Sequence, residues 1–153
     1  MDEPLSLETA RASDAEAIAA IHVAARADAL PYLAPLHTDE QVRDWVASVV
    51  LARCRVWVAR ADDRVLGFVA LDGDEVEQLY VLPGSQGRGI GSRLLDLAKR
   101  ESSGRLRLHT FQRNLRARAF YEARGFRAVS FDDGSGNEER EPDMQYEWAA
   151  TVP

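Results

Sequence analysis

The stretch that most constrains the fold of this chain is EVEQLYVLPGSQGRGIGSRLLDLAKR, Glu75 to Arg100. Glu75–Leu82 alternates with a period of two and reads as a strand, stopped by Pro83 and Gly84. Glycines follow at 87, 89 and 91, and a helix is predicted from about Ile90 to Ser102, closed by Gly104. Glycine lets backbone approach a ligand with no β-carbon in the way. The helix start adds unpaired N–H groups and partial positive charge. Together they form an anion site suited to a pyrophosphate, to which Arg88 and Arg93 can add charge-assisted contacts.

The flanking segments set the order of elements. Leu5–Arg11 alternates as a strand. Ser13 with Glu16, and Thr38 with Gln41, form two capping boxes, each opening a helix. The first helix carries Ile18, Ile21, Val23, Ala24 and Leu30 and ends at Pro31 and Pro35; the second carries Val42, Trp45, Val46 and Val49. Arg55–Ala61 and Arg64–Gly73 read as a hairpin turning at Asp62-Asp63. After the glycine-led helix come a strand at Arg105–Phe111, a helix stopped by Gly125, and two last strands. The polar run between those strands, 132–143, reads as a mobile loop. This order predicts an α+β sandwich: a mixed, mostly antiparallel sheet of about seven strands with about four helices.

Composition narrows the function classes. Residues 1–153 are expected to form one domain, and 46% hydrophobic residues suffice for a core. A net charge of −6 argues against a sequence-independent grip on nucleic acid, and mildly favours cationic partners. Cys54 is the single cysteine, so no intrachain disulfide can form, and a structural thiol is the expected role. The acidic start lacks an apolar core segment, and no run approaches the ~18 apolar residues of a membrane span. A soluble, cytoplasmic protein with no membrane partner is the expectation. His22 and His37 are too scattered for a metal site, there is no cysteine–histidine cluster, and no metal is expected.

Common phosphate motifs fit badly. A P-loop would need a lysine after the glycines, and the dinucleotide fingerprint would need glycine where Ser92 stands. The residues LYVLPGSQGRGIG, followed by NLRARAFYEARGF, instead resemble the GCN5-related N-acetyltransferases, the GNAT superfamily. Gln86, Gly89 and Gly91 fill its glycine signature, and Asn114, Tyr121, Gly125 and Phe126 fill its second motif.

The resemblance implies a GNAT fold and acetyl-coenzyme A as acyl donor. Its pyrophosphate would rest on the backbone of Gly87, Arg88, Gly89, Ile90, Gly91 and Ser92, beside Gln86. Its pantetheine arm would pair with Leu79, Tyr80 and Val81 in a V-shaped opening of the sheet, with the Val81 N–H polarising the thioester. Tyr121 would be the general acid, and Asn114 would both cap its helix and contact the cofactor arm.

An acceptor amine with a lysine-like pKa near 10.4 must lose a proton before attack. Glu75 is the first candidate base and Glu77 the second. Strict alternation would place both on one face with Leu79 and Val81, unless a bulge intervenes. His109 reads as a packing residue with a base as the rival role. The acceptor pocket is expected from Leu30–Thr38, Phe111 and the loop at 132–143, with Tyr32 and His37 lining it and Trp45 in the core. Met144, Tyr146 and Trp148 face either the core or a partner copy, since the resemblance allows a homodimer.

The predicted activity is direct acetyl transfer to a small-molecule, peptide or protein amine. The rival readings are a non-catalytic acyl-coenzyme A sensor or partner module, and a nucleotide-phosphate binder of another fold.

Overall fold

The computed structural model describes residues 4–151. Its elements are β1 (Ser6–Thr9), α1 (Ala15–Ala29), α2 (Asp39–Trp45), β2 (Arg55–Ala61), β3 (Arg64–Asp72), β4 (Glu75–Val81), α3 (Ile90–Glu101), β5 (Arg105–Phe111), α4 (Leu115–Glu122), β6 (Arg127–Asp132) and β7 (Asp143–Ala149). The seven strands form one sheet in the order β1-β2-β3-β4-β5-β7-β6. All neighbours are antiparallel except β4 and β5. The predicted α+β class and strand count hold.

The two capping predictions part company. Thr38 and Gln41 exchange hydrogen bonds as a capping box, at 3.1 and 2.9 Å. Ser13 does not cap α1. A short 3-10 turn at Ala12–Asp14 precedes that helix, so the N-cap position falls at Asp14, whose side chain makes no capping bond to α1. Asp14 turns back to accept the Arg11 N–H at 2.8 Å and two contacts from Arg60 Nη2 at 2.9 and 3.0 Å. The buried Arg60 guanidinium decides the register here, a tertiary demand that local spacing does not carry. Past Trp45, α2 widens into a π turn at Val46–Val50 and closes with one α turn at Leu51–Arg53.

Two apolar layers cover the sheet. On one face Ile90, Leu94, Leu95 and Ala98 of α3 pack on Val69, Leu71 and Val76. On the other, Ile18 and Ile21 of α1 with Val46 and Val50 pack on Val58, Phe68 and Ala70. Each fully buried Leu or Ile contributes about 1.5–3 kcal/mol relative to exposure. Gly67 sets how near α3 can come. A Cβ there would lie 3.0 Å from the Tyr80 carbonyl oxygen and 3.2 Å from both Ile90 Cγ2 and Leu94 Cδ1.

Met144 and Tyr146 are fully buried in the α3-side core, and Trp148 packs at its margin. These three side chains therefore take the core option.

Candidate active site

Strands β4 and β5 share a single register pair, Glu75 with Arg107, and then separate. The sheet thus opens into a V from Val76 onward. On its other side β4 stays paired to β3, and the Leu82 N–H donates to the Leu66 carbonyl at 2.7 Å. Alternate residues of an antiparallel strand direct their backbone groups to the same neighbour. Leu82, Tyr80 and Gln78 therefore bond β3, while Leu79 and Val81 aim their N–H and C=O groups into the V. Backbone polar groups left open there are ready to pair with an extended ligand arm.

The expected common face of Glu75, Glu77, Leu79 and Val81 does not exist. Ala70 pairs with Gln78 and Leu71 with Val76, so Glu77 is an extra residue, a β-bulge. Beyond it the alternation inverts. Val76, Leu79 and Val81 share the α3 face, and Glu75 shares the opposite face with Gln78 and Tyr80. Glu75 contacts His109 Nδ1 at 3.5 Å, and His109 is half-exposed rather than packed in the core. Partial burial, then the charges of Glu75 and Asp72, push the Glu77 carboxyl above its ordinary range.

A slot of about 250 Å³ fills the V. Leu79, Tyr80, Val81, Gln86, Gly87, Ile90, Gly91, Asn114 and Tyr121, all expected site residues, line it. Ala25 and Ala29 of α1, with Arg116, Ala117 and Phe120, complete the wall. The helix spacing of α1 marked an apolar face, but nothing in it told which part packs and which part walls a slot.

Gly87 and Gly89 adopt φ of 86° and 76°, and Gly89 is the residue before the first turn of α3. A side chain at either would be strained in this left-handed region. Gly91 is not in that region, and a Cβ there would make ordinary contact with the Phe120 ring at 3.4 Å. The Ser92 hydroxyl accepts from Arg124 Nη2 at 2.6 Å and Nε at 2.9 Å, and the Arg124 guanidinium stacks on Phe120 at 3.9 Å. Arg124, unmarked in sequence, therefore brings positive charge to the helix start. Arg88 is exposed, and Arg93 reaches toward the Leu5 carbonyl at 3.5 Å.

Asn114 caps α4, its Oδ1 accepting the Ala117 N–H at 3.1 Å. That cap orients the helix so that Phe120 and Tyr121 both line the slot. Tyr121 is buried against Phe120, Phe126 and Tyr146. Burial drives its phenol well above the usual tyrosine range, with Tyr80 adding to the effect. The group stays protonated through the neutral range.

The segment 30–38 and the 132–143 loop are in contact. His37 Nε2 contacts Glu138 at 2.7 Å, and Arg26 contacts Glu139 at 3.3 Å. Arg113 stacks on Tyr32 at 3.6 Å and forks onto Glu141 at 2.8 and 2.9 Å. The 132–143 loop, expected to be mobile, is tied down by this fork and by the Asn137 amide on the Glu141 carbonyl at 2.7 Å. Trp45 is not a core residue. It is 37% exposed and lies 5.5 Å from the His22 ring, because the π turn after it rotates the apolar face of α2 toward Val46 and Val50.

Beyond the split sheet, the glycine turn leading into α3 and the aromatic-walled slot, the chain belongs to the GNAT acetyltransferase family, whose domain model matches residues 52–128. It is similar over 133 residues, at 36% identity, to the uncharacterized N-acetyltransferase Mb2688 of Mycobacterium bovis, covering 75% of this chain and 84% of that one. It is 34% identical over 85 residues to the peptidyl-lysine N-acetyltransferase YiaC of Escherichia coli. That match takes in 55% of this chain and spans 58% of the relative's length. The fold matches the PaiA N-acetyltransferase of Thermoplasma acidophilum, solved in complex with coenzyme A, with a TM-score of 0.71 at 18% identity over 95% of this chain and 99% of that one.

Among the described residues no helix is long and apolar enough to cross a membrane.

Proposed function

We propose that this protein transfers the acetyl group of acetyl-coenzyme A directly to an amine. The observation that carries this reading is the pair of unpartnered backbone positions, Leu79 and Val81, opening into a slot that ends at the Gly87–Gly89 turn. An extended amide-bearing arm suits those groups, and a diphosphate suits the N–H groups of the turn. Apolar Ala25, Ala29, Ile90 and Ala117 suit the methylenes of such an arm. The thioester supplies an activated acetyl group.

Every other duty falls on the chain. The Val81 N–H stabilises charge on the attacked carbonyl oxygen. Tyr121 protonates the departing sulfur. Glu75 and Glu77, on the acceptor side of the sheet, offset the acceptor's positive charge. A peptide lysine is the acceptor class we favour, as the E. coli relative is a peptidyl-lysine N-acetyltransferase. The half-buried, unpaired Cys54 suits a cytoplasmic setting.

Calorimetry with acetyl-coenzyme A and thiol release across lysine peptides, polyamines, aminoglycosides and amino acids test this together. Binding with turnover of one acceptor class is the expected result. Binding with no turnover of any amine would favour an acyl-coenzyme A sensor, and absence of binding would end the reading.

A further inference from the structure

His22 of α1 lies outside every motif, yet its surroundings are those of a working base. Its Nδ1 lies 2.9 Å from Gln78 Oε1. A carbonyl oxygen only accepts, so Nδ1 carries the proton and Nε2 keeps a bare lone pair. Nε2 has no partner among the described residues and is not sealed from solvent. Tyr80 stands edge-on to the ring at 5.2 Å and Trp45 flanks it at 5.5 Å.

The location fits as well. Gln78 directly precedes Leu79, whose backbone opens into the slot, and Ala25, three residues after His22 on the same helix face, walls that slot. Glu75 is less well placed, since it sits where β4 and β5 are still paired and is engaged by His109.

Resting on the acetyl-transfer reading, we propose that His22 Nε2 is the base that deprotonates the acceptor ammonium. The protons balance. Nε2 takes one proton from the ammonium and passes it to water. The neutral nitrogen attacks the thioester carbon, forming C–N as C–S breaks. Tyr121 gives its proton to sulfur and recovers one from the new amide nitrogen. The sum is an amide, a free thiol and one released proton. Burial holds the imidazole neutral, shifting its titration below the ordinary histidine range, and nearby Arg26 on α1 acts in the same direction. Tyr80 on β4 is kept uncharged by its own burial. From α2 the neighbour is Trp45, which does not titrate.

At pH 7 an amine of pKa near 10.4 is neutral in fewer than about one molecule in a thousand, so a base has much to supply. Two measurements decide the matter. The first uses the intact wild-type protein without substrate. Long-range 1H–15N spectra of its three histidines should show one ring as the Nδ1–H tautomer, absent in His22→Gln and titrating below the ordinary histidine range. An Nε2–H tautomer for His22 would overturn the proposal. The second compares wild type and His22→Gln on an N-acetylated lysine peptide, or on spermidine if that is the better substrate. The deficit in kcat/KM should be about 10²–10³-fold at pH 7 and shrink to a few-fold by pH 10, where much of the amine is already neutral. A deficit constant across pH, or none, would overturn it. Wild type inactive on every amine would instead sink the acetyl-transfer reading itself.

Discussion

Glu75 of β4 faces Arg107 of β5 at the one register where those strands still pair, and that pair is the hinge point of the slot. Below it the Arg107 N–H is held by the Asp74 carbonyl at 2.9 Å. Above it Leu79 and Val81 have no strand on that side. The site is thus a missing stretch of sheet, and its binding capacity comes from backbone groups that a continuous sheet would have satisfied.

Gly67→Ala tests how the slot wall is set. The added carbon would meet the Tyr80 carbonyl and two α3 side chains, and must displace α3 to fit. The expected cost is about 1–3 kcal/mol, or roughly 2–10 °C in melting temperature, with weaker binding of acetyl-coenzyme A. Thermal denaturation and calorimetry measure both.

Tyr121→Phe keeps the aromatic packing and removes the proton. It should lower kcat by about 10²-fold or more while leaving acetyl-coenzyme A affinity within a few-fold. Affinity lost in proportion to kcat would assign Tyr121 to binding instead.

Asp14→Asn tests the buried pair under α1. Burial would raise the Asp14 carboxyl, but the Arg11 N–H and the Arg60 guanidinium outweigh it and the net shift is downward. A carboxylate with a depressed folded pKa stabilises fully above its unfolded value near 3.9, and that contribution fades as pH falls through the folded value. Asn should therefore cost about 2 kcal/mol at pH 7, with the difference from wild type closing below about pH 4. Urea unfolding across pH reads this directly.

Glu141→Ala removes the nearly buried carboxylate on which Arg113 forks. The Arg113 end is half exposed, so the loss should be near 1 kcal/mol. Amide exchange across 132–143 should quicken several-fold while exchange in α3 stays unchanged. Equal change in both would mean the loop is not an independent unit.

Much of this was legible in the chain. The strands, the helices and the three-strand run before Gly84 follow from hydrophobic period, and Thr38 and Asn114 cap as their residue types require. The glycine turn was legible because a left-handed backbone admits few alternatives to glycine. Ser13, Trp45 and the glutamate face were misread for one reason. Each depends on a one-residue offset (a 3-10 turn, a π turn, a β-bulge) set by packing against a distant segment. The partner of His22 is not legible in the sequence, because Gln78, which its ring meets, is 56 residues away.

Period, capping and glycine placement, all local properties of covalent geometry, determined which segments are strands, which are helices and where an anion could rest. Only the tertiary structure decided that β4 and β5 part after one pair, that Glu77 bulges and that α1 brings His22 onto Gln78. Those outcomes turn on side-chain volumes and charges meeting across the fold, and no local window of sequence contains both partners.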